Sequence, residues 1–149
     1  MATIFEGAEV ILPDTVARVS VRVEDGRITG IDCAADGARR IDARGLVLAP
    51  ALVDIHGDAF ERHIAPRPSA PFPIEAGLRS TDREAASHGI TTAWLAQCWS
   101  WEGGMRGPDF AEAVMAAMET YRPRALTDLR VQIRCETHMV RGIRLFNPL

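Results

Sequence analysis

Lysine is absent from the chain, and all 17 basic residues are arginine. That excludes any mechanism that needs a lysine side chain from this chain. Cysteine is scarce: Cys33, Cys98 and Cys135 are an odd number with no close pair. The pattern suits reduced thiols, read as small buried hydrophobes in a cytoplasmic protein, better than a disulfide framework or a zinc knuckle. No apolar run approaches the roughly 18 residues needed to span a bilayer. The first fourteen residues have no basic start and carry Glu6 and Glu9, so they do not read as a signal peptide. Excess positive charge is also lacking. A net charge of -3 and a pI near 5.8 argue against nucleic-acid or anionic-membrane partners.

What is present is enough for a core. The chain has 149 residues, of which 47% are hydrophobic and 25% charged, a composition of packed domains rather than disordered ones. Two parts are expected, 1–50 and 51–149. In the first, Val19 to Val23 alternates strictly, Asp25-Gly26 follows, and Arg27 to Ile31 alternates again, which predicts a tight hairpin. Ala8 to Leu12 and Leu46 to Ala49 read as flanking strands. The expected product is a small antiparallel sheet.

After Pro50 the rhythm changes. Ala51 to Ile55 reads as a short buried strand running into His56-Gly57-Asp58, followed by a polar loop with Pro66, Pro68, Pro71 and Pro73. Helical spacing predicts a helix over Ile74 to His88, with Gly89 as its stop. Ile90 to Ala96 reads as a second strand, and Gln97 to Gly107 as a loop holding two tryptophans. Pro108 opens a second helix, striped by Phe110, Val114, Ala117 and Tyr121 and closed by Pro123. Leu129 to Cys135 is a third strand. The order β-α-β-α-β is the signature of a parallel sheet with crossover helices.

The third strand places Leu129, Val131, Ile133 and Cys135 on one face and Arg130, Gln132, Arg134, Glu136 and His138 on the other. A sheet covered on both faces should be apolar on both. A strand apolar outside and polar inside suits the lumen of a barrel. The same parity puts Asp54, His56 and Asp58 on one face of the first strand, and the two polar faces converge if the sheet curls. An imidazole and a carboxylate two residues apart on a strand can reach one metal ion, and the C-terminal ends of barrel strands are where catalytic ligands sit. A hydrogen-bonded pair capping the strand would carry the same two residues.

The words around this pair carry a resemblance. Leu46 to His56 is similar to the entry into the barrel of the amidohydrolase superfamily. His56-Gly57-Asp58-Ala59-Phe60-Glu61-Arg62-His63 with Pro66-Arg67-Pro68 resembles its branch of phosphonate-metabolism diphosphatases. Gly89-Ile90-Thr91-Thr92, Ser100-Trp101-Glu102-Gly103-Gly104 and Arg134-Cys135-Glu136 agree with that branch, and the likeness runs from about residue 4 to 139. Ala51 departs from it by replacing a glycine, Asp58 stands where the superfamily more often has a second histidine, and the segment after Met139 matches nothing expected there.

The resemblance implies an α/β fold: a small N-terminal β-sheet, part of a β-sandwich, followed by the first βαβαβ portion of a (β/α)8 TIM-like metallo-hydrolase barrel. A whole barrel takes about 250 residues, so this chain is expected to hold only the N-terminal part of one. The remaining histidine ligands and the proton-accepting aspartate would lie beyond it. A free sheet edge would then favour self-association into a homo-oligomer.

The activity implied is metal-dependent hydrolysis of a small phosphorylated substrate, a ribose 5-triphosphate giving the 5-phosphate and diphosphate. C–N bond hydrolysis, as by deaminases or cyclic amidases, and a non-catalytic remnant are the alternatives. The cofactor implied is a divalent metal ion, Zn²⁺ or Mn²⁺. Its ligands are His56, Asp58 and Glu136, where Glu136 replaces the carbamylated lysine of other branches or instead pairs with Arg134 or Arg130. His138 is a further candidate. Arg62 and Arg67 are candidates to grip phosphate oxygens, since guanidinium forks match phosphate geometry, although surface arginines are common. Trp99, Trp101 and Glu102 are candidates to wall the substrate pocket or to fill a loop core, and Asp54 a structural partner of His56.

Overall fold

A computed structural model describes residues 1–67, 69–137 and Met139. Pro68, His138 and the segment after Met139 lie outside the described residues. The chain divides into two compact units, Met1–Pro50 and Ala51–Leu149.

The first unit is built from seven short strands: β1 (Thr3–Glu6), β2 (Glu9–Ile11), β3 (Val16–Arg18), β4 (Val21–Glu24), β5 (Arg27–Ile31), β6 (Arg39–Asp42) and β7 (Val47–Leu48). They form two sheets, β5-β4-β1-β6 and β3-β2-β7. The hairpin expected at Asp25-Gly26 is present. Both turn residues have positive φ, 49° and 75°, the left-handed pair that a two-residue hairpin turn requires. The two sheets bury one small core around Ala8, Val10, Val21 and Ala43, with Phe5, Val23 and Leu48 packed against it.

A purely antiparallel sheet was the expectation, and the structure corrects it. β6 runs parallel to β1 and β7 parallel to β2. Alternating side chains specify a face, and that pattern is the same whichever way the neighbouring strand runs.

The second unit contains β8 (Leu52–Gly57), α1 (Glu61–Ile64), α2 (Ile74–Ser87), β9 (Ile90–Trp99), α3 (Pro108–Tyr121) and β10 (Asp128–Cys135). Its sheet has the order β10-β9-β8 and is parallel throughout, as the β-α-β-α-β reading predicts. Phe60, Leu78, Ala93, Leu95, Val114, Met118 and Leu129 form the core between the helices and one face of this sheet. α2 and α3 follow the predicted spans closely, and Pro108 opens α3 as its first residue.

Three details differ from expectation. The stretch before Pro66 holds a helical turn, α1, whose Ile64 is buried against Gly77 of α2. β9 runs three residues further than expected and ends at Trp99, which is therefore a buried strand residue rather than a loop residue. β8 is not a buried strand: Leu52, Val53 and Ile55 are 60%, 57% and 72% exposed. It is the edge strand of the described sheet, and a run of apolar residues does not distinguish an edge from a centre. Of the cysteines, only Cys98 is buried; Cys33 is half-buried and Cys135 exposed.

Candidate functional site

The register of the parallel sheet decides which side chains share a face. Leu129 pairs with Ala93 and Val131 with Leu95, and both pairs face the helices. The alternate residues, Arg130, Gln132 and Arg134, pair with Trp94, Ala96 and Cys98 on the opposite face. This is the polar inward face that the sequence pattern of β10 predicts. Arg130 is held there by Asp128 at 2.6 Å and stacks over Trp94 with its guanidinium carbon 5.1 Å from the ring centre.

On β8 the simple parity fails. Asp54 pairs with Ala93 and Gly57 with Leu95, so three steps on β8 match two on β9. That is a β-bulge, and it turns Asp54 towards the helix face while His56, the neighbour of Gly57, lies on the polar face. The Asp54 carboxylate accepts the His56 backbone N–H at 3.0 Å, satisfying a donor that the bulge takes out of regular pairing. Asp54, His56 and Asp58 therefore do not share one face, and Asp54 is the structural partner of His56.

His56 and β10 do converge. His56 Nδ1 lies 2.7 Å from Gln132 Oε1, across the whole width of β9. Strands two positions apart lie roughly 9–10 Å from each other, so two long side chains meet only if the residue between them is small. On the Gln132 side of this crossing that residue is Ala96, the register partner of Gln132, and it is fully buried although it points away from the helices. Ala96→Leu should drive a branched side chain between them and separate His56 from Gln132, at a cost of about 1–3 kcal/mol. Loss of nuclear Overhauser contacts between the His56 ring and the Gln132 side chain would show it; unchanged contacts would refute the geometry.

Asp58 is exposed just past the end of β8, and its carbonyl accepts the Glu61 N–H at 3.3 Å. Glu136 follows β10, half-buried, with its N–H 3.4 Å from the Trp99 carbonyl. Among the described residues, no three His, Cys, Asp or Glu side chains gather as a metal-ligand set. His56, Asp58 and Glu136 thus stand at the same end of β8 and β10, with β9 between them, and do not form a three-residue ion site by themselves.

The proposed substrate-binding residues are dispersed. Arg62 is paired with the Glu84 carboxylate on α2, which His63 also contacts. These bonds, His63 first and then Arg62, outweigh partial burial and hold Glu84 below its ordinary value of 4.5. Arg67 is exposed. Trp101 is 67% exposed, and Glu102 is bound to Arg106 at 2.7 Å in the loop after β9. That loop is pinned by Gln97, whose buried amide donates to the Met105 carbonyl at 2.9 Å. A cleft of about 260 Å³ takes in Asp54, His63, Glu84 and His88, on the helix side of the sheet and away from His56.

Sequence reasoning passed over Glu61. It stands in the first turn of α1, half-buried, and burial pushes its carboxyl above the ordinary 4.5. Arg106 draws it down, Asp58 pushes it up, and Arg134 draws it down again. One carboxyl therefore senses the loops after β8 and β9 and the end of β10. Its signal was its place in the motif, three residues after Asp58 on a helical turn.

Solved structures that share this fold are much longer than this chain. Dihydropyrimidinase from Brevibacillus agri NCHU1002 superposes with a TM-score of 0.65 at 18% identity, over 96% of this chain and 30% of that one. D-hydantoinase from Bacillus sp. AR9 superposes with a TM-score of 0.63 at 19% identity, over 95% of this chain and 29% of that one. The chain shares its fold with about 30% of each of these structures, in keeping with the likeness to the amidohydrolase superfamily that its motifs carry. No family model matches it. Among curated proteins, it is similar to alpha-D-ribose 1-methylphosphonate 5-triphosphate diphosphatase of Escherichia coli (strain K12), at 26% identity over 153 aligned positions. That match takes in 98% of this chain and 40% of the relative's length. No described helix is long and apolar enough to cross a membrane.

Proposed function

We propose that this chain contributes the first part of the active-site region of a hydrolase acting on a small phosphorylated substrate. The reaction is cleavage of a ribose 5-triphosphate to the 5-phosphate and diphosphate, in the cytoplasm. The observation that carries the reading is the 26% identity to the diphosphatase over 98% of the chain. Hydrolysis of a C–N bond is the second reading, favoured by the hydantoinase and dihydropyrimidinase neighbours. At 18% and 19% identity those neighbours speak for the fold alone, and the sequence match supports the first reading.

In this reading His56 is the central side chain, oriented by Asp54 and Gln132 at the C-terminal end of the strands. Glu61 holds a proton more readily than an ordinary glutamate. Arg134 and Arg106 place positive charge at the same end of the sheet, whereas Arg62 is occupied by Glu84. A divalent ion, Zn²⁺ or Mn²⁺, is the expected cofactor, and His56, Asp58 and Glu136 are the residues this chain offers it. Because they are not gathered into a set, uptake by this chain alone should be weak.

The test is binding. In the presence of Zn²⁺ or Mn²⁺, the purified chain should take up a ribose 5-triphosphate in preference to a hydantoin, and His56→Ala together with Asp58→Ala should abolish that uptake. Preference for the hydantoin selects the second reading, and binding of neither refutes both. Turnover should stay near background, since loss of a single acid–base group typically costs about 10²–10⁴-fold and the chain spans only 40% of the diphosphatase it resembles. Diphosphate release that disappears in His56→Ala would overturn this expectation.

A further inference from the structure

We propose that Gln132 is the positioning residue of His56, and that its side-chain oxygen fixes the imidazole as the Nδ1–H tautomer. The proposal rests on the reading that His56 belongs to the functional site, but the tautomer is a property of the chain whatever reaction follows. The contact is direct: His56 Nδ1 and Gln132 Oε1 lie 2.7 Å apart, between residues 76 positions apart in sequence, and an amide oxygen can only accept, so the ring nitrogen is assigned as the donor.

A neutral imidazole carries one proton on two ring nitrogens, and the hydrogen bond made by one nitrogen determines the state of the other. With Nδ1–H committed to the amide oxygen, Nε2 keeps its lone pair. That nitrogen is then ready to accept a proton or to donate to a cation. A carboxylate at position 132 would do the same while favouring the charged imidazolium. An amide fixes the tautomer without adding a charge.

The surroundings support the assignment. His56 is held at two points, its backbone N–H by Asp54 Oδ1 at 3.0 Å and its ring by Gln132. The bulge in β8 sets the ring on the polar face, and the small Ala96 clears the path across β9. Two arginines flank Gln132 on that face, Arg130 and Arg134, and the first is committed elsewhere. Arg130 is engaged with Asp128 and stacked on Trp94. Gln132 itself is half-buried and His56 is exposed.

Long-range ¹H–¹⁵N correlation on the full ¹⁵N-labelled chain, at about pH 8 where ordinary imidazoles are neutral, reads the tautomer directly. The His56 signal is assigned by its loss in His56→Ala. Wild type should show the Nδ1–H form. Gln132→Leu, which has no acceptor, should relax to the mixture of tautomers seen in free imidazole, while Gln132→Glu should restore Nδ1–H. Restoration by the glutamate variant keeps the test decisive should the leucine variant fold poorly. An Nε2–H imidazole in wild type, or a Gln132→Leu spectrum identical to wild type, would overturn the proposal. Zinc titration of wild type and His56→Ala separates this from the functional reading. A fixed tautomer without His56-dependent zinc uptake sinks the role of His56 as a ligand and leaves Gln132 as its positioning residue.

Discussion

Replacing Asp82 by alanine should cost about 3–5 kcal/mol, a large share of a domain stability on the order of 5–15 kcal/mol. Asp82 lies on α2 and is fully buried. Its carboxylate accepts four hydrogen bonds: from the Tyr121 hydroxyl at 2.8 Å, the Leu126 N–H at 2.7 Å, the Thr127 N–H at 2.9 Å and the Thr127 hydroxyl at 2.6 Å. One side chain thereby ties α2 to the end of α3 and to the segment that leads into β10. Alanine would leave those donors without their acceptor in a place where water does not replace it easily.

The ionisation follows the same geometry. Burial raises the Asp82 carboxyl, but the bonds from Leu126, Thr127 and Tyr121 outweigh it and hold the group below its ordinary 3.8. A depressed carboxylate contributes stability that is present above 3.8 and is lost as pH falls through the lower folded value. Tyr121 is pushed up to about 12, by burial first and then by Asp82, so it remains a donor throughout the working range. Urea unfolding of wild type, Asp82→Ala and Asp82→Asn is the measurement. The gap between wild type and Asp82→Asn should be constant near neutrality and narrow in acid below about 3.8. Tyr121→Phe should cost about 1–2 kcal/mol, since three donors remain on Asp82. An alanine variant within 1 kcal/mol of wild type (on the order of a single neutral hydrogen bond) would refute the role given to this group.

Gly77→Val is the second large effect. A glycine inside a helix ordinarily weakens it by about 1 kcal/mol relative to alanine, so local propensity alone predicts that substitution here would stabilise α2. The packing says the opposite. A Cβ at position 77 would meet Ile64 Cγ1 at 2.4 Å and the Ile64 Cα and N at 3.0 Å each. The last two are backbone atoms of α1, held by the bond from Phe72 N–H to the Ile64 carbonyl at 2.7 Å. Overpacking of this kind costs about 1–3 kcal/mol. Alanine, which recovers some propensity, should therefore be mildly destabilising, and valine, with two further methyl groups and a β-branch, should cost about 3 kcal/mol and displace α1. Thermal unfolding of the two variants tests the order. Stabilisation by Gly77→Ala would show that the contact between α1 and α2 yields more easily than the structure implies.

These two positions also show where sequence reading stopped. Nothing near Asp82 in sequence announces its partners, which lie 39 to 45 residues away. Gly77 reads as an ordinary helix defect. Both are decided by how α2 packs, which is a tertiary fact. The same holds at the candidate site. His56 and Asp58 were legible because one short motif carries them, yet the bulge that removes Asp54 from their face depends on how β8 registers against β9. Arg62 was legible as a cation but not as the partner of Glu84.

The sequence by itself determined the hairpin at Asp25-Gly26, the spans of α2 and α3, the parallel β-α-β-α-β order and the division of β10 into an apolar and a polar face. Each of these is set by local chemistry: backbone turn preference, the spacing of apolar residues, and strict alternation along a strand. Only the tertiary structure decided the parallel pairings in the first unit, the exposure of β8, the joining of His56 to Gln132 across β9 and the half-burial of Glu61 within the fields of Arg106, Asp58 and Arg134. These depend on register and on residues distant in sequence, and a period of two or of 3.6 residues carries no record of which strand lies alongside or where the pairing slips by one.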